Sequence, residues 1–298
     1  MKNLFTLFAL LVLFILPINA QNMEDVEIKT EKLSDNVYVL FGRGGNIGVS
    51  IGEDGVFVID DQFEALSEKI IAAIRELSDK PIHFLANTHY HGDHTGGNAK
   101  MHEHGANIIA HDNVRKRLLL PNRNGNTAPK EALPVITFYD KMNLYINGEK
   151  VEIFHFEHAH TDGDAMLYFT KSNVLHTGDL FFNYKTSFPF IDVDSGGNIN
   201  GYIKAVSGAI AKINDDTTII PGHGAVSNRA EYSAFLDVLK DLRSRVQMAL
   251  DNGKTEDEIM NDASILKSYE DKGYGKGFVT SERIKRAIFR SLTQGHQH

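Results

Sequence analysis

The chain has 298 residues, 42% of them hydrophobic and 23% charged, a balance that suits a globular protein with a sizeable core and excludes disorder as its main state. A net charge of −8 with no lysine or arginine run argues against a nucleic-acid backbone as partner. Cysteine is absent, which excludes disulfides, thiolate metal ligands and cysteine nucleophiles, and leaves any metal to His, Asp or Glu.

The first segment, "MKNLFTLFALLVLFILPINAQ", has Lys2, an apolar run from Leu4 to Leu16, then Pro17 and a small residue at Ala20. That is the anatomy of a secretory signal peptide over residues 1–20, cleaved after Ala20. The run is short for a bilayer span of about 20 residues, so no stable membrane insertion is expected after cleavage. Export to the periplasm or beyond follows. "DVEIKT", "NVYVLFG", "NIGVSIG" and "GVFVID" read as antiparallel strands separated by turn residues. Phe63 to Asp79 has apolar residues at helical spacing and predicts an amphipathic helix, ended by Pro81. "IHFLANT" is a strand. The pattern then restarts with "NIIAHD", a short helix at "NVRKRLLL" and a loop from Pro121 to Pro134. A hairpin turns at Asn147–Gly148, and "AMLYFT" and "VLHTGD" add strands. A helix at "INGYIKAVSGAIAKI", a strand into "PGHG" and a mainly helical region after Asn228 complete the chain. No linker divides residues 21–298, which read as a single domain with a helical C-terminal part. Two rounds of strands then helices predict an α/β fold of two sheets covered by helices.

"NTHYHGDHTGGN" places His89, His91, Asp93 and His94 within six positions. In an extended segment His89, His91 and Asp93 lean one way and His94 another, an arrangement suited to two adjacent metals. Imidazole with carboxylate suits zinc, and iron or manganese also accept that set. His160 in "HAHTDGD", Asp179 in "LHTGDLFF" and His223 in "IIPGHG" sit at strand ends beside small residues and complete the set. The reading is two triads, His89, His91 and His160 on one metal and Asp93, His94 and His223 on the other, with Asp179 bridging.

"THYHGDH", "HTDGD", "TGDLFF" and "PGHG", in that order, resemble the metal motifs of the metallo-β-lactamase fold superfamily over about Val26 to Val226. The resemblance implies a four-layer αββα sandwich of two mixed sheets with helices outside, and a metal site at one edge between the sheets. It implies two Zn2+ per chain and a hydrolase in which a bridging hydroxide attacks the carbonyl of a small substrate, with Asp93 and Asp179 in the catalytic set. Asp179 resembles the bridging aspartate of the glyoxalase II, lactonase and RNase Z branches, where true lactamases carry Cys or Ser. His91 separates the chain from flavodiiron proteins, which have a glutamate there. "TGDLFFNYKTSFPFIDVDSGGN" looks like an exported, cyclase-like or β-lactamase-like hydrolase branch. A β-lactam, a lactone and a thioester remain open as substrates. A mono-iron persulfide dioxygenase, a phosphodiesterase and a non-catalytic metal module are the other readings.

Other residues carry two readings each. Asp60 either orients the metal loop, as the resemblance implies, or caps a helix. Gly42 to Gly48 is either a flap or a hairpin turn. Tyr90 reads as packed or solvent-facing, because it alternates away from its neighbours. His155 and His158 lie near ligands in sequence only, and His176, an odd number from Asp179, reads as structural. His83, His102, His104 and His111 read as surface or satisfied core residues, and His296 and His298 as tail. Phe181, Phe182, Phe188 and Phe190 either line an apolar substrate wall or fill the core. Specificity is expected from the loops at 42–48, 121–134 and 181–197. No serine-hydrolase elbow is present.

Overall fold

The computed structural model describes residues 23–121 and 125–293. The leader reading of residues 1–20, and His296 and His298, lie outside the described residues. No described helix is long and apolar enough to cross a membrane.

Seven strands form the first sheet in chain order: β1 (Lys29–Lys32), β2 (Val37–Phe41), β3 (Ile47–Gly52), β4 (Gly55–Ile59), β5 (Ile82–Ala86), β6 (Asn107–His111) and β7 (Ile136–Phe138). The first four pair antiparallel and the last four parallel, so the sheet is mixed. The expected first strand at "DVEIKT" is displaced. Met23–Asp25 forms a 3-10 turn, and β1 starts only at Lys29 with all its residues exposed. The second sheet takes β8 (Lys141–Ile146), β9 (Glu149–His155), β10 (Ala165–Phe169) and β11 (Val174–His176). Between its later strands come β12 (Phe182–Asn183) and β14 (His223–Gly224), which pair only with each other. β13 (Thr218–Ile220) and β15 (Ser227–Asn228) complete the second sheet, in the order β15-β13-β11-β10-β9-β8. Asn147 and Gly148, at φ 53° and 76°, make the tight β8–β9 turn expected of an Asn-Gly pair.

Helices cover both outer faces. On the first sheet lie α1 (Ser67–Leu77), the single turn α2 (Gly92–Thr95), α3 (Asn98–Glu103) and α4 (Asp112–Leu118). On the second lie α5 (Ile199–Lys212), α6 (Arg229–Asp251), α7 (Glu256–Asn261), α8 (Lys267–Glu270) and α9 (Ser281–Thr293). Asn198 caps α5 through its side-chain oxygen, and Thr255 with Glu258 closes a capping box on α7.

The strand period of two sorts side chains into three apolar layers. Val56 and Val58 pack outward beneath Ile70, Ile71 and Ile74 of α1. Phe57 and Ile59 from the same strand face inward and meet Leu167, Phe169, Val174 and Ile220 of the second sheet. Met166, Leu175 and Ile219 face the other way, into α5, α6 and α9. This is the αββα sandwich. Each such buried aliphatic or aromatic side chain contributes about 1.5–3 kcal/mol.

Candidate metal centre

Polar residues gather where several strands end. His89 lies three residues beyond β5, Asp179 three beyond β11 and His223 three beyond β13. β11 and β13 are parallel neighbours, so their following turns emerge side by side. His160 comes from the β9–β10 connection. The close pairing of Phe182 with His223 holds the two later loops together. All seven predicted residues converge, in two sets: His89, His91, His160 and Asp179, and Asp93, His94 and His223.

The extended reading of the histidine cluster holds only as far as His91. At φ −61° and ψ 146° that residue caps α2, and helical backbone begins at Gly92. Asp93 therefore swings away from His89 and His91 and joins His94, 3.7 Å from its Nε2 and 3.3 Å from His223 Nε2.

The hydrogen bonds outside the cluster set which ring nitrogen faces inward. Thr88 Oγ1 donates to Asp60 Oδ2, so at 3.1 Å from His89 Nδ1 it accepts from that ring. His160 Nδ1 donates to the Phe190 carbonyl at 2.9 Å, and His91 Nε2 donates to Asp192 Oδ2 at 2.9 Å. His94 Nδ1 donates to Asp60 Oδ2 at 2.8 Å. Each ring then points a lone pair inward. His91 Nδ1 sits 3.0 Å from His89 Nε2 and 3.1 Å from His160 Nε2. Three converging lone pairs repel unless a cation sits among them. A tetrahedral ion with bonds of about 2.0–2.1 Å to nitrogen spaces its ligands about 3.3 Å apart, close to this arrangement. Asp179 Oδ1 is buried and makes no well-formed hydrogen bond, although it lies 3.1 Å from His94 Nε2 and 3.3 Å from His223 Nε2. The donor set fits divalent metal.

The titration behaviour agrees. Burial holds His89 and His160 below the ordinary imidazole range. Burial also opposes charge on His94, but Asp179, Asp93 and Asp60 outweigh it and raise that ring. His223, likewise buried, is pushed up to about 9 by Asp179 and Asp93. Burial would raise Asp179, yet His223, His94 and His89 hold it well below the carboxylate range. The carboxylates thus draw positive charge into the centre, and a divalent ion meets the same demand.

Asp60 orients ligands and does not cap a helix. It is fully buried, at φ 61°, and accepts from Thr88 N at 2.7 Å as well as from Thr88 Oγ1 and His94. Of the stretch Gly42 to Gly48, Gly42 to Asn46 is the β2–β3 hairpin connection and packs under the metal loop, and Ile47 and Gly48 already lie in β3. A Cβ on Gly45 would lie 2.1 Å from the His94 ring, and the Gly45 amide donates to the Asp93 carbonyl at 2.9 Å. Gly222 is as tight, since its Cβ would lie 2.2 Å from Asp179 Oδ1. His176 is buried and bonds the Asn46 carbonyl, while His155 stacks on His111 at 3.7 Å. None of these three joins either set of metal-holding side chains.

A cavity of about 1280 Å³ opens over the cluster, reaching Asp93, Asp179 and His223. The phenylalanines divide between the two readings. Phe181 is core, against Tyr232 and Phe235. Phe188 is also buried, at the cavity's edge. Phe182, stacked on His223, and Phe190, stacked on His91, wall the cavity. The loops at 121–134 and 181–197 contribute to it, and 42–48 does not. Two residues the sequence reading missed or discounted are also here. Asp192 supports His91, and Tyr90 donates to Asp192 at 2.9 Å beneath the Arg117 guanidinium. The run "IDVDSGGN" carried the only sequence signal for Asp192, an acid followed by turn residues.

The Metallo-beta-lactamase superfamily profile matches residues 40–223, from β2 through His223. A hydroxyacylglutathione hydrolase of Polaromonas sp. (strain JS666 / ATCC BAA-500) is 30% identical over 197 residues, covering 64% of this chain and 66% of that protein. A metallo-beta-lactamase type 2 of Bacillus cereus is 24% identical over 226 residues, covering 72% and 83%. Among solved structures, a metallo-beta-lactamase from Pontibacter korlensis superposes with a TM-score of 0.61 at 16% identity, over 72% of this chain and 99% of that one. With motifs, sandwich and His/Asp cluster in register with that match, the chain belongs to the metallo-β-lactamase superfamily.

Proposed function

We propose that this hydrolase holds two zinc ions and cleaves a carbonyl substrate of the β-lactam, lactone or thioester kind after export. The observation that carries the reading is the split of Asp179. Its Oδ2 lies 3.7 Å from His89 Nε2 and 3.5 Å from His160 Nε2, while Oδ1 faces His94 and His223. One carboxylate thus addresses both groups. The hydrolase names of the relatives support the reaction class.

Bound there, a pair of divalent ions supplies Lewis acidity and brings a water's pKa toward neutrality. The chain's own residues do the rest. Asp179 fixes the spacing of the two groups. Asp60 and Asp192 lock His94 and His91 with a lone pair inward. Burial would raise Asp93, but His94 and His223 hold it at about 2, and a carboxylate that would itself bind the second ion is a poor base. Phe182 and Phe190 exclude water from one wall of the cavity and leave apolar area for the substrate.

The test is metal analysis joined to a hydrolysis screen on one preparation, with nitrocefin, a lactone, a thioester and a nitrophenyl phosphodiester. Two zincs and turnover of a carbonyl substrate are expected. One iron in active protein, or turnover of the phosphodiester alone, overturns the reading. The sequence pattern of Lys2, the apolar run and Ala20 supports export, and mass spectrometry of the native protein should find its N-terminus near Gln21. A retained Met1 speaks against cleavage.

A further inference from the structure

We infer that the substrate carries a carboxylate away from its reacting carbonyl, and that the first turn of α9 receives it through Arg283. This rests on the cavity over the two metal groups being the substrate site. The chain is acidic, at −8, yet of the described residues four arginines line that cavity, and three come from α9. Arg283, Arg286 and Arg290 stand at i, i+3 and i+7, so they share one face of the helix, and that face borders the cavity. The other face is anchored. Buried Lys285 donates from Nζ to the Ile259, Met260 and Asp262 carbonyls at 2.9, 2.7 and 3.1 Å, and Ile284 and Ile288 enter the outer core. α9 lies beyond residue 223, where the superfamily match ends, so this wall belongs to the chain's own C-terminal region.

The three arginines differ in what seats them. Arg286 pairs with Glu256 and Glu282, and Arg290 pairs with Asp194 at 2.6 Å. Arg283 is seated on aromatic rings. Its guanidinium carbon lies 4.4 Å from the Phe190 centroid and 4.0 Å from that of Phe278, and Nη1 donates to the Phe278 carbonyl at 3.2 Å. Rings packed on a guanidinium hold the fork in place and keep its charge, and its N–H edge matches the two oxygens of a carboxylate. Phe190 also stacks on His91, with centroids 5.8 Å apart, so one phenyl ring links the guanidinium to the first metal group. A substrate with its carbonyl at the metals and its apolar body along Phe190 brings its far end to Arg283. Phe278, 70% exposed at the cavity, gains cover from the same apolar body.

The test uses the full zinc-loaded chain and two thiophenyl thioesters of glutaric acid, one ending in the free carboxylate and the other in its methyl ester. Wild-type protein should favour the carboxylate in kcat/KM. Arg283→Met keeps the length and the packing on both rings and removes the charge. It should cut that preference about 10- to 100-fold, the scale of a hydrogen bond to a charged group, through KM and not kcat. Arg283→Lys should restore part of it, returning the charge without the fork. Arg283→Gln serves if the methionine variant does not fold. An unchanged preference in a folded variant overturns the inference, and so does an equal loss on both thioesters, which marks an arginine that only packs. A second readout needs no turnover. Calorimetric binding of 5-phenylpentanoate to the metal-free chain should weaken by a similar factor in Arg283→Met. A wild-type chain that binds it no better than the variant overturns the inference. If neither thioester is cleaved and the phenylpentanoate difference still appears, the hydrolase reading fails and the anion site stands.

Discussion

The two metal groups share one carboxylate and little else. In the first group the Nε2 atoms of His89 and His160 stand 3.0 and 3.1 Å from His91 Nδ1, with His89 and His160 at 1% and 0% exposure. Asp93, His94 and His223 stand looser, at 3.3–3.7 Å, with Asp93 28% and His223 16% exposed to the cavity. The first group is tightly spaced, and of its histidines only His91, 19% exposed, reaches the cavity. The second carries the extra negative charge and the wider spacing. The first ion should therefore bind as a structural fixture of the site, and the second should exchange more readily and meet the substrate. The predictions below strike both groups, one of them or, as a floor, neither, and so break or sharpen that difference.

Asp179→Ala should have the largest effect, because it takes a ligand from both groups at once. Two cations without their shared carboxylate repel more strongly. Zinc stoichiometry and turnover, measured on the same preparation, should show weaker binding of the second zinc and at least ~100-fold slower hydrolysis, the upper scale of even outer-shell losses. Two zincs with unchanged turnover would remove Asp179 from the centre. His94→Ala comes next. It strips only the second group, so elemental analysis should fall from two zincs per chain toward one, with the first group intact. Equal loss from both groups would mean that they are not separable.

Much of this was legible in the chain. The cluster at 89–94 and the three later strand-end residues that converge with it could be read because His and Asp beside small residues at strand ends are few and ordered. The hairpin at Asn147–Gly148 and the helix at α1 followed from local chemistry. What failed depended on tertiary contacts. The alternation of His89, His91 and Asp93 was cut by a helical turn at Gly92, and nothing local separates a four-residue turn from an extended loop. Asp60 keeps both an orienting and a capping reading in the sequence because its partners, Thr88 and His94, lie 28 and 34 residues away. Asp192 carries only the weak signal of an acid before turn residues, because its partner His91 lies 101 residues away. Tyr90 was rightly placed apart from its neighbours' ligand atoms, but the group it meets instead lies 102 residues on.

Gly45→Ala tests the second group by steric pressure alone. The added methyl would meet the His94 ring at 2.1 Å and cannot be housed without moving it. Asp60 pins Nδ1 of that ring, so the displacement falls on Nε2. Affinity for one zinc should drop about tenfold, the lower scale of outer-shell effects, and the other should stay as it was. Isothermal titration on the stripped protein checks this, and two unchanged binding steps would show that the β2–β3 turn yields instead.

Tyr202→Phe should have the smallest effect and sets the floor for the others. Its hydroxyl donates to the backbone carbonyl of Asp179 from α5, on a fully buried ring in the outer core. Removing it leaves that carbonyl short of a partner while the ring still fills its space. The cost should be about 1–3 kcal/mol of stability, the penalty for an unsatisfied buried polar group. A chain of this size loses roughly 1.5–2 °C of thermal midpoint per kcal/mol, so the shift is measurable by calorimetry. The Asp179 side chain keeps its imidazoles on the opposite side, so both zincs should remain. If Tyr202→Phe instead loses a zinc, then α5 and the packing behind it set the position of the shared carboxylate. The contrast between the two groups would then owe as much to the second sheet's outer layer as to the ligands themselves.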